Sequence, residues 1–333
     1  MWQVVGQSRA VSLLQRSLEQ GTVAHAYLLV GPPHVGKMTL ALDLAQALNC
    51  QAADRPCGVC DSCQKITSGK HADVQVIGLD SGGSATEISI DQIRQMQHSS
   101  NLPPFEGRYK IFIIDKAELL STEAANCLLK TLEEPATGVI FILLANKSAA
   151  LLTTVVSRCQ QLVLYPLSTL EVTSALSQRW RVEQQRAELL ARLCHGCLGW
   201  AVSVASDDSL LQRRAERIDR LLGIIDGDYD ERFAYVTQMV AQFSQNRSLV
   251  QETLDLWLKW WRDLLLVKLG CNSALTNIDH ETTLVDLARG YSLEQIRAVI
   301  NSIQVAGEQL RQNANQRLVF EVLMLSIPVG GNS

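Results

Sequence analysis

A short apolar run, Ala26-Tyr27-Leu28-Leu29-Val30, passes directly into Gly31-Pro32-Pro33-His34-Val35-Gly36-Lys37-Met38-Thr39, and an Ala- and Leu-rich helical stretch follows. Strand, glycine-bearing loop and helix in that order is the context a phosphate-binding loop needs. Its glycines let backbone N–H groups turn inward around phosphates, Lys37 supplies a point charge, and the helix N-terminus adds its dipole. A strand buried on both faces and feeding a helix belongs to a parallel sheet, so the first part of the chain is expected to be α/β.

Four more apolar runs fit that sheet: Val74 to Ile77, Ile111 to Ile114, Val139 to Leu144 and Leu162 to Leu164. Between them, Ser89 with Gln92 three residues on makes a capping box. A helix carrying Ala125, Leu128, Leu129 and Leu132 on one face is stopped by Pro135. Beyond Pro166 the alternating pattern ends. Ser168 and Glu171 open a run of helical periodicity that continues almost to the last residue, with a break near Ala205-Ser206-Asp207-Asp208. A chain of 333 residues exceeds the size at which one core keeps growing. The expected partition is an α/β domain over 1–166, a small helical domain over 167–208 and a larger helical domain over 209–333. Trp257, Trp260 and Trp261, with Leu254, Leu258 and Leu264, form an apolar stripe that reads as core or as a packing face.

The phosphate loop departs from a working site at two places. The residue after Lys37 should carry a hydroxyl for Mg²⁺, and Met38 has only a thioether. Thr39 is a poor substitute, because one residue along a helix rotates a side chain by about 100°. On the third strand, Asp115 stands where an acidic residue holds Mg²⁺, but Lys116 follows where a carboxylate would polarise water. Phosphoryl transfer depends on positioning and charge, so the two losses together predict slow or absent hydrolysis. Gly31, Gly36, Lys37, Thr39 and Asp115 remain as a degenerate nucleotide site, and whether it still takes ATP and Mg²⁺ stays open. Asn146, at the end of strand four, is either a nucleotide sensor or ordinary loop chemistry.

Cys50, Cys57, Cys60 and Cys63 crowd four of the nine cysteines into one short segment. Four thiolates close a tetrahedral Zn²⁺ site with no open position, which makes it structural; an iron–sulfur cluster is the alternative. Cys127, Cys159, Cys194, Cys197 and Cys271 sit in apolar surroundings and read as core filler. A net charge of −4 gives no bulk attraction to a phosphate backbone, so any DNA contact must be local or shared. No charged-then-apolar leader opens the chain and no stretch nears the ~18 apolar residues of a membrane span, so a soluble, cytoplasmic protein is expected.

Together these motifs resemble the AAA+ clamp-loader subunits of bacterial DNA polymerase III. The residues that carry the resemblance include Val5-Gly6-Gln7, His25-Ala26-Tyr27-Leu28, the phosphate loop, the four cysteines and Ile90-Asp91-Gln92-Ile93-Arg94. Ala124 to Pro135, with its Leu-Leu-Lys-Thr-Leu-Glu-Glu-Pro end, Ser157-Arg158-Cys159, and Asn315 to Leu325 complete the set. The resemblance implies a five-stranded parallel AAA+ sheet with a zinc-binding insertion, a helical lid and an all-α collar. It implies that Arg158 works in trans as an arginine finger on a neighbour's ATP; otherwise a lone arginine there would pair with a local carboxylate at a helix end. Implied partners are the gamma/tau and delta subunits, with the sliding clamp and primed DNA reached through the complex. The chain would be part of the polymerase holoenzyme with little ATPase of its own. Met38, Lys116, Gly199 in the place of the motors' sensing arginine, and an ending without a long low-complexity tail favour the delta-prime branch over the gamma/tau branch.

Overall fold

The computed structural model describes residues 2–79 and 86–328. The expected domain limits at 1 and 333 therefore fall outside the described residues.

The described chain runs α1 (Ser8–Glu19), β1 (Ala26–Val30), α2 (Lys37–Asn49), α3 (Asp61–Thr67), β2 (Val74–Ile77), α4 (Ile90–Ser100), β3 (Lys110–Ile114), α5 (Thr122–Glu133), β4 (Val139–Ala145), α6 (Thr153–Val156) and β5 (Gln160–Val163). It continues as α7 (Thr169–Arg179), α8 (Gln184–Leu193), α9 (Leu198–Ser206), α10 (Ser209–Asp226), α11 (Tyr229–Gln245), α12 (Arg247–Lys268), α13 (Glu281–Gly290), α14 (Leu293–Arg311) and α15 (Gln316–Ser326). Two compact units result. One holds the residues up to Ala175 together with Gly196–Trp200; the other holds Leu176–His195 together with the residues from Ala201 onward.

In the first unit the five strands form one sheet in the order β2-β3-β4-β1-β5, and every pairing is parallel. Strand period two divides the side chains cleanly between two faces. Tyr27, Leu29, Ile111, Ile113, Ile140, Ile142 and Leu144 meet α1, α2 and α3 on one face. Leu28, Phe112, Ile114, Phe141 and Leu143 meet α4, α5 and α6 on the other. β1, β3 and β4 are buried along their whole length, as unbroken apolar runs between two helical layers must be. The last strand is set slightly earlier than Leu162 to Leu164, over Gln160–Val163, because its register is fixed by pairing Tyr27 with Gln160. Ser89 and Gln92 close the expected capping box, and Ser168 and Glu171 exchange the same reciprocal bonds.

The second unit is built on α12, which packs against α10, α11, α13 and α14. Trp257, Trp260 and Trp261 are all fully buried on it, each against an aromatic partner: Tyr235, His280 and Tyr291 respectively. The tryptophan stripe is therefore core. Arg232 is also fully buried, and its guanidinium is met by backbone carbonyls. Its five N–H groups go to the carbonyls of Ile224, Ile225, Met324, Ile327 and Pro328, which closes the ends of α10 and α15. α8 packs against the turn at Ile278–His280, and Arg192 donates to the Ser273 carbonyl. Of the cysteines expected to fill cores, Cys194 is buried, Cys127, Cys159 and Cys197 are half-buried, and Cys271 is exposed in the turn that follows α12.

Candidate functional site

Because the sheet is parallel, the loops after β1, β3 and β4 leave from the same edge, and they bring together residues far apart in sequence. Gly36 precedes α2 at φ +106°, a conformation that glycine adopts without strain, and this turn lets Lys37 begin the helix. The Lys37 ammonium donates to the Gly31 carbonyl at 2.5 Å, the Pro32 carbonyl at 2.9 Å and Asn146 Oδ1 at 3.0 Å. Its three donors are thus all engaged by its own loop and by the end of β4. Burial pushes the ammonium below the ordinary lysine pKa, against the opposing charges of Glu118 and Asp115.

Met38 packs onto the α1–α2 face of the sheet, whereas Thr39 is exposed. The residue in the place of a metal-binding hydroxyl is thus half-buried against the core. Asp115 Oδ1 accepts the backbone N–H of Lys116, which sits exposed at φ +51°. Glu118, which carries no spacing signal in the sequence, reaches the loop instead: its Oε1 accepts the backbone N–H of Asn146 at 3.3 Å. A short strap returns from the helical part of the chain. The Gly196 carbonyl accepts from Leu167, and the Gly199 N–H donates to the His34 carbonyl at 2.9 Å.

Arg158 lies just after α6, on a segment pinned by Val155 and Cys159 in the core between α5 and the sheet. Its guanidinium donates to the Thr154 carbonyl at 2.8 Å, to Ser157 Oγ at 3.4 Å and to Glu133 Oε1 at 2.5 Å, and about a third of the side chain stays exposed. The local carboxylate at a helix end is therefore present, and it comes from the Leu-Glu-Glu-Pro end of α5.

The four cysteine sulfurs lie within 4.8 Å of one another. Two of the separations, Cys50 to Cys60 and Cys57 to Cys63, are 4.0 Å. Four sulfurs each at the usual ~2.3 Å from one ion would be spaced about 3.8 Å apart, so the cage suits a single tetrahedral metal. In a multi-iron cluster the four thiolates are spread over two or four irons, which demands a wider cage. Backbone N–H groups of Val59 and Cys60 pull the Cys57 thiol down to about 6. Burial opposes the same effect at Cys60, where the N–H groups of Gln51 and Cys63 outweigh it; at Cys63 burial wins and pushes the thiol up to about 12. Gln46 on α2 holds the module from behind through the Cys63 carbonyl and Thr67 Oγ1.

Among the described residues no helix is long and apolar enough to cross a membrane. The family described as DNA polymerase III, delta subunit, matches residues 6–168, and that described as DNA polymerase III, delta subunit, C terminal, matches residues 209–328. DNA polymerase III subunit delta' of Bacillus subtilis (strain 168) is 28% identical over 325 residues, covering 97% of each chain. DNA polymerase III subunit tau of Escherichia coli (strain K12) is 33% identical over 347 residues, which is 97% of this chain but 52% of that one. Among solved structures, a DNA polymerase III gamma subunit-related protein of Thermotoga maritima aligns over 94% of this chain and 98% of its own, at 15% identity and a TM-score of 0.46.

Proposed function

Because the chain belongs to the clamp-loader subunit family of bacterial DNA polymerase III, we propose that it serves there as the delta-prime subunit, a ring member that completes a neighbour's ATPase site and hydrolyses little or no ATP itself. The observation that carries this reading is that Met38, packed against the core beneath the sheet, follows Lys37, and that Lys116, exposed at the end of β3, follows Asp115. No hydroxyl follows Lys37 to bind Mg²⁺, and no carboxylate follows Asp115 to orient water. Gly31, Gly36, Lys37, Thr39 and Asp115 then keep the shape of a nucleotide site that has lost its chemistry. Arg158 stabilises the γ-phosphate of ATP held by a gamma/tau neighbour, a task suited to a planar, permanently charged fork.

Residues 1–166 form the AAA+ domain, 167–208 the lid and 209–333 the collar that joins the ring. Its partners are gamma/tau and delta, and the ring so formed opens the sliding clamp and closes it on primed DNA in the cytoplasm. Cys50, Cys57, Cys60 and Cys63 hold one structural Zn²⁺, which folds a segment too poor in apolar residues to fold alone. A second reading, a gamma/tau-type ATPase, is favoured by the similarity to tau. The deciding experiment gives the purified chain Mg²⁺-ATP, alone and in the reconstituted complex. Turnover by the isolated chain that Lys37→Ala abolishes would establish the second reading. Turnover by the complex that falls with Arg158→Ala and is indifferent to Lys37→Ala is the outcome expected of the first.

A further inference from the structure

Glu133 is the last residue of α5, where a carboxylate faces the negative end of the helix dipole and gains nothing from the helix. What it meets is Arg158 Nη2 at 2.5 Å, while Nη1 is held by the Thr154 carbonyl and Ser157 Oγ. Both side chains remain open to solvent, 34% and 49% exposed, and a pair so placed contributes little to folding. Its effect lies elsewhere. An arginine side chain carries much rotamer freedom, and a guanidinium that must meet an anion in one geometry is more effective when that freedom is already removed. The ground on both sides is firm: α5 is anchored in the core by Leu128 and Leu132, and the Arg158 segment by Val155 and Cys159.

We infer that Glu133 is a positioning residue for Arg158. It fixes the guanidinium in one rotamer by taking one N–H of Nη2, and leaves the Nε–H and the other Nη2 N–H for a phosphate oxygen of a neighbouring subunit's ATP. The inference rests on the trans role of Arg158 given above.

The test is ATP turnover by the reconstituted complex on primed DNA, titrated in ATP, with full-length variants of this chain. Glu133→Ala is expected to lower kcat about tenfold with KM unchanged, because ground-state ATP is held by the neighbour's own loop. Glu133→Gln keeps an oxygen acceptor and is expected to recover most of that loss. Adding Glu133→Ala to Arg158→Ala is expected to change nothing further, as two residues acting through one contact require. Unchanged kcat with Glu133→Ala, or a loss that persists undiminished when Arg158 is already alanine, overturns the inference while leaving the trans role intact. Unchanged kcat with Arg158→Ala removes the trans role itself. Should Glu133→Ala fail to assemble, Glu133→Asp, which draws the carboxylate back by one methylene, carries the test: a fall in kcat at constant KM supports the inference and no fall overturns it.

Discussion

The Gly199 N–H reaches the His34 carbonyl across 2.9 Å, so the start of α9 is tied directly to the phosphate loop. A Cβ at position 199 would lie 2.9 Å from that carbonyl oxygen and 3.4 Å from the His34 Cα. Gly199→Ala therefore has to push the strap off the loop, at an expected loss of about 1–3 kcal/mol. Urea denaturation of the two proteins side by side measures it, and equal midpoints would show that the loop gives way freely.

Asp73 sets an acid limit on stability. It is 1% exposed and accepts the backbone N–H groups of Phe105, Glu106 and Gly107 at 2.7–2.8 Å. Burial alone would raise its pKa, but these three donors outweigh it and hold the carboxyl below its ordinary value. Since the folded value lies below the unfolded one, the stabilisation is complete above the unfolded pKa of about 3.9 and is lost as pH falls through the folded pKa. Asp73→Asn is expected to cost about 1–3 kcal/mol at pH 7. The gap between the denaturation midpoints of the two proteins should narrow as pH falls from neutral to below about 3.9, and a gap that stays constant over that fall would count against this account.

If the four thiolates hold one Zn²⁺ as proposed, removing it should loosen the cysteine module and leave the sheet standing. α3 has seven residues, far fewer than the ~12 that an isolated helix needs, and it begins between two of the thiolates. Metal analysis is expected to find one ion per chain. After chelation, or in Cys57→Ser, hydrogen exchange should rise through Asp61–Thr67 and stay slow in β1, β3 and β4. Fast exchange in those strands would show that the core depends on the ion.

Trp261 stands in the middle of the second unit, fully buried, its ring edge-on to Tyr291 with centroids 5.3 Å apart. Trp261→Ala should cost about 3–5 kcal/mol, the usual penalty for emptying so large a site. Thermal unfolding checks it; a melting temperature within a degree of the parent protein would mean that the surrounding helices collapse into the space.

Much of this was legible in the sequence because the signals are local. The strands that lie between helical layers are unbroken apolar runs, Ser89 and Gln92 cap a helix three residues apart, and the four thiols come from a single short segment. What stayed hidden depends on residues meeting across long separations. Glu133 and Arg158 are 25 residues apart and no periodicity links them. Glu118 carries no spacing signal, and only the neighbouring β3 and β4 bring it to Asn146, 28 positions on. Lys37 was legible as a loop lysine, but its engagement by Asn146 required strand order, which spacing does not encode. Arg232 gave no warning at all, since an arginine in a helical pattern is ordinarily placed in water.

That buried guanidinium has a consequence for how much of the chain can be trimmed. Three of its five acceptors, Met324, Ile327 and Pro328, come from the closing stretch of the sequence, about ninety positions downstream of Arg232 itself. Cutting the protein back to Ser326 would strip two of those carbonyls from a cation that water cannot easily reach, so a shortened version is expected to fail from within, at the end that looks most dispensable.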